Sequence, residues 1–222
     1  MDVNTRTAFY KHTQGLLTSL LLSSVLALCT STPIPPEQLH PRQHYERLVR
    51  DTHVLHERHR DVYTSFKTIR HGDASIRLDD FRIEGIPSIN DLPAPNLRYT
   101  MEESELLPIH YTRLQAFELI LARAIADEFK LGLEGEDNFH ENMMTVHLLL
   151  RRAISKLRQT MVGLEIAHDY DTEPVIPPFS PNQNDSVVNL RILFVLQEFD
   201  DNLAPALEDF TNFMNSHPHP SS

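Results

Sequence analysis

The sequence predicts an all-α fold, a long-chain up-up-down-down four-helix bundle with two long crossover loops. The 222 residues include 41% apolar residues and only 6 Gly, which suits one core of long helices better than a turn-rich β fold. Four segments, A to D, carry apolar residues at helical spacing. The connections between them are long, short and long, and long connections allow consecutive helices to point the same way.

Residues 1–31 are predicted to be a signal peptide. A weakly cationic start precedes an apolar run over 16–29 that is short for a membrane span. Cleavage would give a secreted, extracellular chain without membrane insertion, whose helical domain covers 32–215. The only cysteine, Cys29, falls in the removed segment, so the mature chain has neither a disulfide nor a thiolate site.

Segment A, about 37–70, has an apolar stripe that runs from Tyr45 to Ile69 at alternating spacings of three and four. Its other faces are rich in arginine, which makes it the basic side of an acidic protein. We expect Gly72 to end this helix, since glycine readily adopts the left-handed conformation that helix ends require.

Segment B, about 101–130, begins near a possible capping box at Thr100, and Pro108 is expected to kink or restart it. Segment C, about 137–166, has the most regular apolar spacing of the four. The connection 131–136 between B and C is short, so these two helices should be antiparallel neighbours.

Segment D, about 186–214, follows N-cap candidates at Asp185 and Ser186, and Pro205 should bend it. Residues 216–222 are predicted to be a disordered tail. The A–B connection has about thirty residues and the C–D connection about twenty, the arrangement of growth-hormone and cytokine bundles.

Several function classes are disfavoured. A formal charge of -11 argues against a nucleic-acid binder, and no nucleophile-elbow spacing or phosphate loop indicates an enzyme or a cofactor. The histidines His53, His56 and His59 spiral around segment A and match no zinc motif. A calcium-like run from Asp169 has Pro174 where a calcium loop needs glycine, so no metal is expected.

Two features leave alternatives open. Asn184-Asp185-Ser186 is a glycosylation sequon in a chain predicted to be secreted, and it is either glycosylated or a chance occurrence of a short motif. Met143, Met144 and Met161 either fill the core or line a pocket, and the pocket would make the protein a secreted amphipathic carrier of lipid or another apolar ligand.

Local sequences in segments B to D occur in a recognisable order: LARAIADE (121–128), EDNFH (136–140), LLL (148–150), LFVLQEF (193–199) and EDF (208–210). They resemble the ciliary neurotrophic factor, cardiotrophin and leukaemia inhibitory factor branch of the interleukin-6-type helical cytokines, and ciliary neurotrophic factor most closely. The resemblance covers about 100–214, while segment A matches in length and pattern.

This resemblance implies a secreted cytokine or neurotrophic-factor-like ligand that performs no chemistry. Such a ligand, a monomer in this family, assembles class I cytokine receptors and triggers JAK-STAT signalling through kinases bound to their cytoplasmic tails. The receptors implied are a shared signal-transducing receptor, a leukaemia-inhibitory-factor-type receptor and an α-receptor.

Three receptor-binding surfaces follow from the resemblance. The α-receptor surface would lie around Tyr99 and Asp209, and Pro205 stands where the ciliary neurotrophic factor pattern has an arginine. The surface for the shared signal-transducing receptor would use outward residues of A and C. Its candidates, chosen from helix geometry and the family's use of that face, are Arg47, Arg50, Arg58, Arg151 and Arg158.

The third surface, at the start of segment D, departs from the family pattern. The family's Phe-x-x-Lys would fall on Ser186 and Asn189, which supply neither the aromatic group nor the cation. Either Val187, Val188 or Phe179 substitutes, or the leukaemia-inhibitory-factor-type receptor is engaged differently. A glycan on the nearby sequon asparagine would crowd this surface.

Overall fold

The computed structural model describes residues 39–170 and 184–218, whose regular secondary structure is helical, with no strand among them. The all-α prediction is confirmed. The α-helices in this part of the chain are α1 (Pro41–His71), α2 (Pro95–Arg98), α3 (Glu103–Leu131), α4 (His140–Gly163) and α5 (Asp185–Ser216). The four long helices correspond to segments A to D, whereas the one-turn helix α2 is not predicted. The predicted signal peptide, Phe179 and residues 219–222 lie outside the described residues.

Helix α1 begins and ends with distinct capping groups. Nδ1 of His40 accepts a hydrogen bond from the backbone N–H of Arg42 at 3.3 Å, and the Gln43 side chain accepts one from the backbone N–H of His40 at 3.2 Å. At the other end Gly72 adopts a φ of 70°, and its N–H bonds back to the carbonyl of Thr68. The predicted stop at Gly72 is confirmed.

Helix α3 begins at a different cap from the one predicted. Glu102 is its N-cap and exchanges hydrogen bonds with Glu105, so these two glutamates form the capping box. The hydroxyl of Thr100 instead donates to the carbonyl of Leu97 at 2.8 Å. Pro108 lies inside one continuous helix and does not restart it.

Helix α5 is capped one residue earlier than predicted. Asn184, rather than Asp185 or Ser186, is the N-cap, and its Oδ1 accepts a hydrogen bond from the N–H of Val187 at 2.9 Å. Pro205 lies within the helix.

The carboxyl end of α4 passes very close to the start of α1. A Cβ atom on Gly163 would collide with the imidazole ring of His44, so glycine allows the two helices to approach here. Nearby, the hydroxyl of Thr160 donates to the carbonyl of His44 at 3.5 Å.

One end of the helical assembly is joined by Arg70, the penultimate residue of α1. Its guanidinium donates to Glu128 of α3 at 2.5 Å, to Asn189 of α5 at 2.6 Å and to the carbonyl of Asp137 just before α4. The ends of α1 and α3 therefore meet the beginnings of α4 and α5. The Arg70 side chain is only 5% exposed, although the sequence suggests part of a solvated basic face.

The opposite end is joined by Arg42 and His217. Arg42 of α1 donates to the carbonyls of Met214 and His217, both at 3.1 Å. His217 pairs with Glu103 at the start of α3 at 2.6 Å and stacks on Tyr45 with ring centroids 5.5 Å apart. The predicted start of the tail at Ser216 is too early, because α5 includes Ser216 and His217 is held by these contacts.

The core lies between the four long helices. Helices α1 and α3 each pack against both α4 and α5. Aromatic pairs join them, such as Phe66 with Phe139 and Phe117 with Phe199, both with centroids 5.1 Å apart. Ile69, predicted to point inward, is 42% exposed because it lies in the last turn of α1.

The A–B connection packs along the outside of α5. The N–H of Leu78 donates to the side chain of Gln197 at 2.7 Å, and the ring of Phe81 lies 5.1 Å from that of Phe194. Farther along, the N–H of Ile89 donates to Glu198. These contacts explain why polar residues on the outward side of α5 are buried.

Among the described residues, no helix combines the length and the apolar character required to cross a bilayer.

A fully buried histidine links α1 to α5. Nε2 of His59 lies 2.9 Å from the carbonyl of Leu196, and the ring packs edge-on against Phe199. Burial lowers the pKa of His59 from 6.5 to about 4, although the nearby Asp200 carboxylate acts in the opposite direction and His56 adds to the lowering.

We predict that acidification below pH 6.5 destabilises the protein through His59. Between its folded pKa of about 4 and its ordinary value of 6.5 the unfolded chain binds more protons, so the free energy of unfolding falls as the pH falls. The loss of unfolding free energy attributable to His59 is about 2 kcal/mol by pH 5.

Urea denaturation from pH 7 to pH 5 measures this loss. His59→Gln should flatten the pH dependence, whereas His53→Gln, at an exposed histidine of the same helix, should leave it unchanged; identical slopes would contradict the assignment.

Candidate functional site

On the exposed side of α1 and α4, polar side chains bridge the two helices at two places. Asp51 of α1, which is 5% exposed, accepts two hydrogen bonds of 2.9 Å from Arg152 of α4. The Nε atom of Arg50 lies 3.5 Å from the same carboxylate. One buried acid thus holds two exposed arginines from two helices at fixed positions.

A second bridge joins the same helices farther along. Arg58 of α1 donates to the amide oxygen of Asn142 on α4 at 2.6 Å. Between the two bridges lie Val54, which is 48% exposed, and Leu148, which is 59% exposed. Because the helices run side by side between the bridges, we infer that these two aliphatic side chains lie at the same level.

We call this surface the α1–α4 face and define it by the exposed or half-exposed residues Arg47, Arg50, Val54, Arg58, Leu148 and Arg152. Arg47 belongs to it because it precedes Asp51 by four residues, one helical turn. Its apolar centre and cationic rim match the usual organisation of protein interfaces, in which the centre excludes water and the rim stays polar.

The structure brings together only three of the five predicted arginines. Arg47, Arg50 and Arg58 lie on the α1–α4 face. Arg151 instead points toward α3, where its Nε lies 3.2 Å from Glu118. Arg158 turns to the same side, and its guanidinium lies 4.7 Å from the ring centre of Tyr170.

Sequence reasoning missed Val54, Leu148 and Arg152 on this face. The adjacent pair Arg151-Arg152 offered two choices, and helix spacing alone did not decide which of them faces α1. Pairing with Asp51 decides it, since a buried carboxylate requires a nearby cation.

The two residues predicted for the α-receptor surface differ sharply in exposure. Tyr99 is 60% exposed and donates to Glu208 at 2.5 Å, and this hydrogen bond raises its pKa. Asp209 is only 3% exposed and is bonded by Arg98 at 2.9 Å and by His110 at 2.8 Å. Asp209 is therefore a buried structural acid, and it does not belong to the exposed surface predicted for the α-receptor.

Beside Tyr99 a cavity of about 440 Å³ opens between the start of α3 and the end of α5. Four charged residues, Arg98, Glu102, Glu103 and Asp209, contribute to its walls together with apolar ones such as Phe213. Such mixed walls suit polar or peptide groups better than an aliphatic ligand.

The start of α5 presents part of the predicted third surface. Ser186 and Val187 are exposed, the latter by 40%, and Val188 is half-buried. Asn189 is engaged by Arg70 and is therefore committed to the helix junction. Phe179 lies outside the described residues.

Two apolar residues that the sequence analysis did not select also lie at this surface. Leu190 is 39% exposed and follows Val187 by three residues, so the two share one side of α5. Phe81, also 39% exposed, covers Phe194 one turn farther along the helix.

The sequon asparagine Asn184 is exposed at the same end. Its Oδ1 atom caps the helix, whereas a glycan attaches to the side-chain nitrogen. Capping and glycosylation therefore use different atoms.

Two of the histidines of α1 face the same carboxylate. The Nε2 atoms of His56 and His59 lie 3.5 Å and 3.9 Å from Oδ1 of Asp200 on α5, whereas His53 is exposed beside Glu57. Over residues 39–170 and 184–218, no group of three or more possible ligands is arranged to hold a metal ion.

No protein-family model matches this chain, and neither the characterised proteins nor the solved structures include a match to it.

We predict that Asp209→Ala lowers the free energy of unfolding by about 3–5 kcal/mol, because it leaves the Arg98 guanidinium buried without its carboxylate. Urea denaturation measures this loss. The control Glu208→Ala removes the neighbouring, 48% exposed acid and should cost less than about 1 kcal/mol. Equal losses in the two variants would show that Asp209 has no special structural role.

We predict that Asn184→Ala costs about 1 kcal/mol of stability, because the N–H of Val187 loses its capping oxygen. Asn184→Asp keeps an oxygen at that position and should cost much less. Both variants abolish the sequon, so urea denaturation of glycan-free protein isolates the effect of the cap. Equal stability of the two variants would rule out the capping role.

Proposed function

We propose that this chain is a secreted helical cytokine that binds and assembles interleukin-6-type receptors and thereby triggers JAK-STAT signalling. In this proposal it acts by binding alone and without a cofactor. The α1–α4 face is the observation that carries the proposal. It combines two exposed aliphatic side chains with arginines held in place by Asp51, on a helical scaffold whose core is already closed.

The proposal includes the up-up-down-down arrangement with two long crossovers. Its support comes from the junctions at the two ends. Arg70 joins the ends of α1 and α3 to the beginnings of α4 and α5, while His217 at the end of α5 contacts the beginnings of α1 and α3. The A–B connection running over α5 is consistent with a crossover of this kind.

The receptors are proposed from the resemblance and from the three surfaces. The shared signal-transducing receptor is assigned to the α1–α4 face. An α-receptor is assigned to the region around exposed Tyr99 and its cavity. The leukaemia-inhibitory-factor-type receptor is assigned to the start of α5, with Val187 and Leu190 as its apolar contacts.

A carrier of apolar ligands is less well supported. Met143 and Met161 are fully buried in the core, and Met144 is 40% exposed, so the methionines do not line one pocket. The cavity beside Tyr99 has charged walls.

Phosphorylation of the STAT transcription factor tests the proposal. Purified mature protein is added to cells with and without the shared signal-transducing receptor and the leukaemia-inhibitory-factor-type receptor. Signalling that depends on these receptors supports the cytokine function. Silence in every combination, without binding to receptor-bearing cells, would refute it, and an apolar ligand retained through purification would favour the carrier.

We predict that Leu148→Asp weakens binding to the isolated shared signal-transducing receptor at least tenfold, because it puts a charge in the apolar centre of the α1–α4 face. The control Leu97→Asp makes the same change at a 55% exposed leucine of α2 and should leave this binding unchanged. Surface plasmon resonance with the receptor ectodomain measures both. Binding unaffected by Leu148→Asp would remove this face from the proposal.

A further inference from the structure

Six of the chain's 20 basic residues lie on α1 and on the exposed surface of α4, from the side that faces α1 to the side that faces α3. We call this set the basic band and define it as Arg47, Arg50, Arg151, Arg152, Lys156 and Arg158. Arg50, Arg151 and Arg152 have side chains that are 64%, 62% and 58% exposed. Arg47 and Arg158 are also exposed, and Lys156 is half-buried.

The band keeps a strong positive charge after its ion pairs are counted. Two carboxylates contact it, Asp51 and Glu118, so six cations against two acids leave a formal charge of +4. Among the described residues Arg47 makes no ion pair, and Lys156 bonds to the neutral side chain of Gln159 at 2.9 Å. The band is therefore not neutralised by the protein itself.

The ion pairs orient the arginines and leave donors free. Arg152 uses its Nε and Nη2 atoms to bind Asp51, and a guanidinium has five N–H groups. The side chain is mostly exposed, so its remaining N–H groups are available to a ligand. Arg158 lies over the Tyr170 ring, which fixes its plane without using its hydrogen-bond donors.

The spacing of the band suits an extended ligand. Residues 151–158 follow α4 for about 10 Å, and Arg47 and Arg50 continue the positive charge onto α1. Planar guanidinium groups bind oxyanions through paired hydrogen bonds better than ammonium groups do. A linear chain with regularly repeated oxyanions matches both features.

We propose that the basic band binds a sulfated polysaccharide of the heparan sulfate type. The net charge of -11 does not prevent this, because charges more than about 8 Å away are largely screened at physiological ionic strength. A single-stranded nucleic acid fits less well. The large aromatic side chains exposed in the described chain are Phe81, Tyr99 and Phe129, and none of them lies in the band to stack on bases.

This site goes beyond the proposed function and is independent of it, since polysaccharide binding needs no receptor. Arg47, Arg50 and Arg152 belong to both the basic band and the α1–α4 face. A bound polysaccharide would therefore compete with any protein that uses that face.

Immobilised heparin tests the site directly. The full mature chain should be retained at physiological salt and released at a higher concentration, and fully desulfated heparin should not retain it. The combined variant Arg47→Gln, Lys156→Gln and Arg158→Gln removes three cations without breaking an ion pair. It should elute at clearly lower salt, with the slope of log affinity against log salt reduced by about one for each cation lost.

The matched control, Arg60→Gln, Lys67→Gln and Lys130→Gln, removes the same charge outside the band, and Lys67 lies over the ring of Tyr63 as Arg158 lies over that of Tyr170. It should elute like the unaltered protein. Circular dichroism and thermal melting verify that both variants are folded. Equal losses in the two variants, failure of the unaltered protein to bind at physiological salt, or equally tight binding to single-stranded DNA would each overturn the proposal.

Lysine footprinting on the unaltered protein gives a second test that does not depend on variants. Heparin should protect Lys156 from acetylation and leave Lys130, at the end of α3, fully reactive. Equal protection of both lysines, or of neither, would contradict the band as the binding site.

Discussion

The ion pair between Arg70 and Glu128 is the interaction on which the arrangement of the helices depends. Both side chains are almost fully buried, with 5% and 1% exposure. Removing two such ions from water costs several kcal/mol each, which only close pairing and further hydrogen bonds can offset. Glu128 gains one from the N–H of Phe139 at 2.9 Å, and Arg70 gains others from Asn189 and from the carbonyl of Asp137. A helix that slid out of register would leave one charge buried and unpaired, so the pair selects one register for all four long helices.

With the helix ends fixed in this way, cations concentrate on the exposed side of α1 and α4, where the Asp51 carboxylate holds two of them in place. The carboxyl-terminal part of the sequence is acidic, with nine acids and one base over residues 167–222, but Glu198 and Asp209 are buried. The cationic side of α1 and α4 therefore favours partners that present acidic groups.

The four long helices were predictable from the sequence because the spacing of the apolar residues indicates which side chains are buried. Gly72 was predictable for a similar local reason, since its left-handed backbone conformation is accessible to glycine at little cost. Caps were harder to predict. Asn184, Asp185 and Ser186 are all good capping residues, and only the path of the preceding chain decides which one is used.

The surfaces were less predictable because charged residues follow no simple burial rule. Asp209 and Arg70 look like surface charges in the sequence, yet each is buried by a partner more than fifty residues away. Likewise, Arg151 and Arg152 are neighbours of the same residue type, yet Arg151 faces α3 and Arg152 faces α1. Such pairings depend on tertiary contacts that a one-dimensional pattern does not contain.

The passage of the A–B connection over α5 has a consequence for how the chain folds. Gln197 and Glu198 are buried on α5 by residues of this connection, and the bond from Leu78 to Gln197 spans 119 positions in the sequence. Such polar groups stay hydrated until both segments have formed and met, so α5 cannot complete its burial by local contacts alone. Closing so long a loop has an entropic cost that precedes its benefit, which slows folding relative to bundles joined by short turns. We therefore expect the docking of the A–B connection on α5 to be a late step of folding.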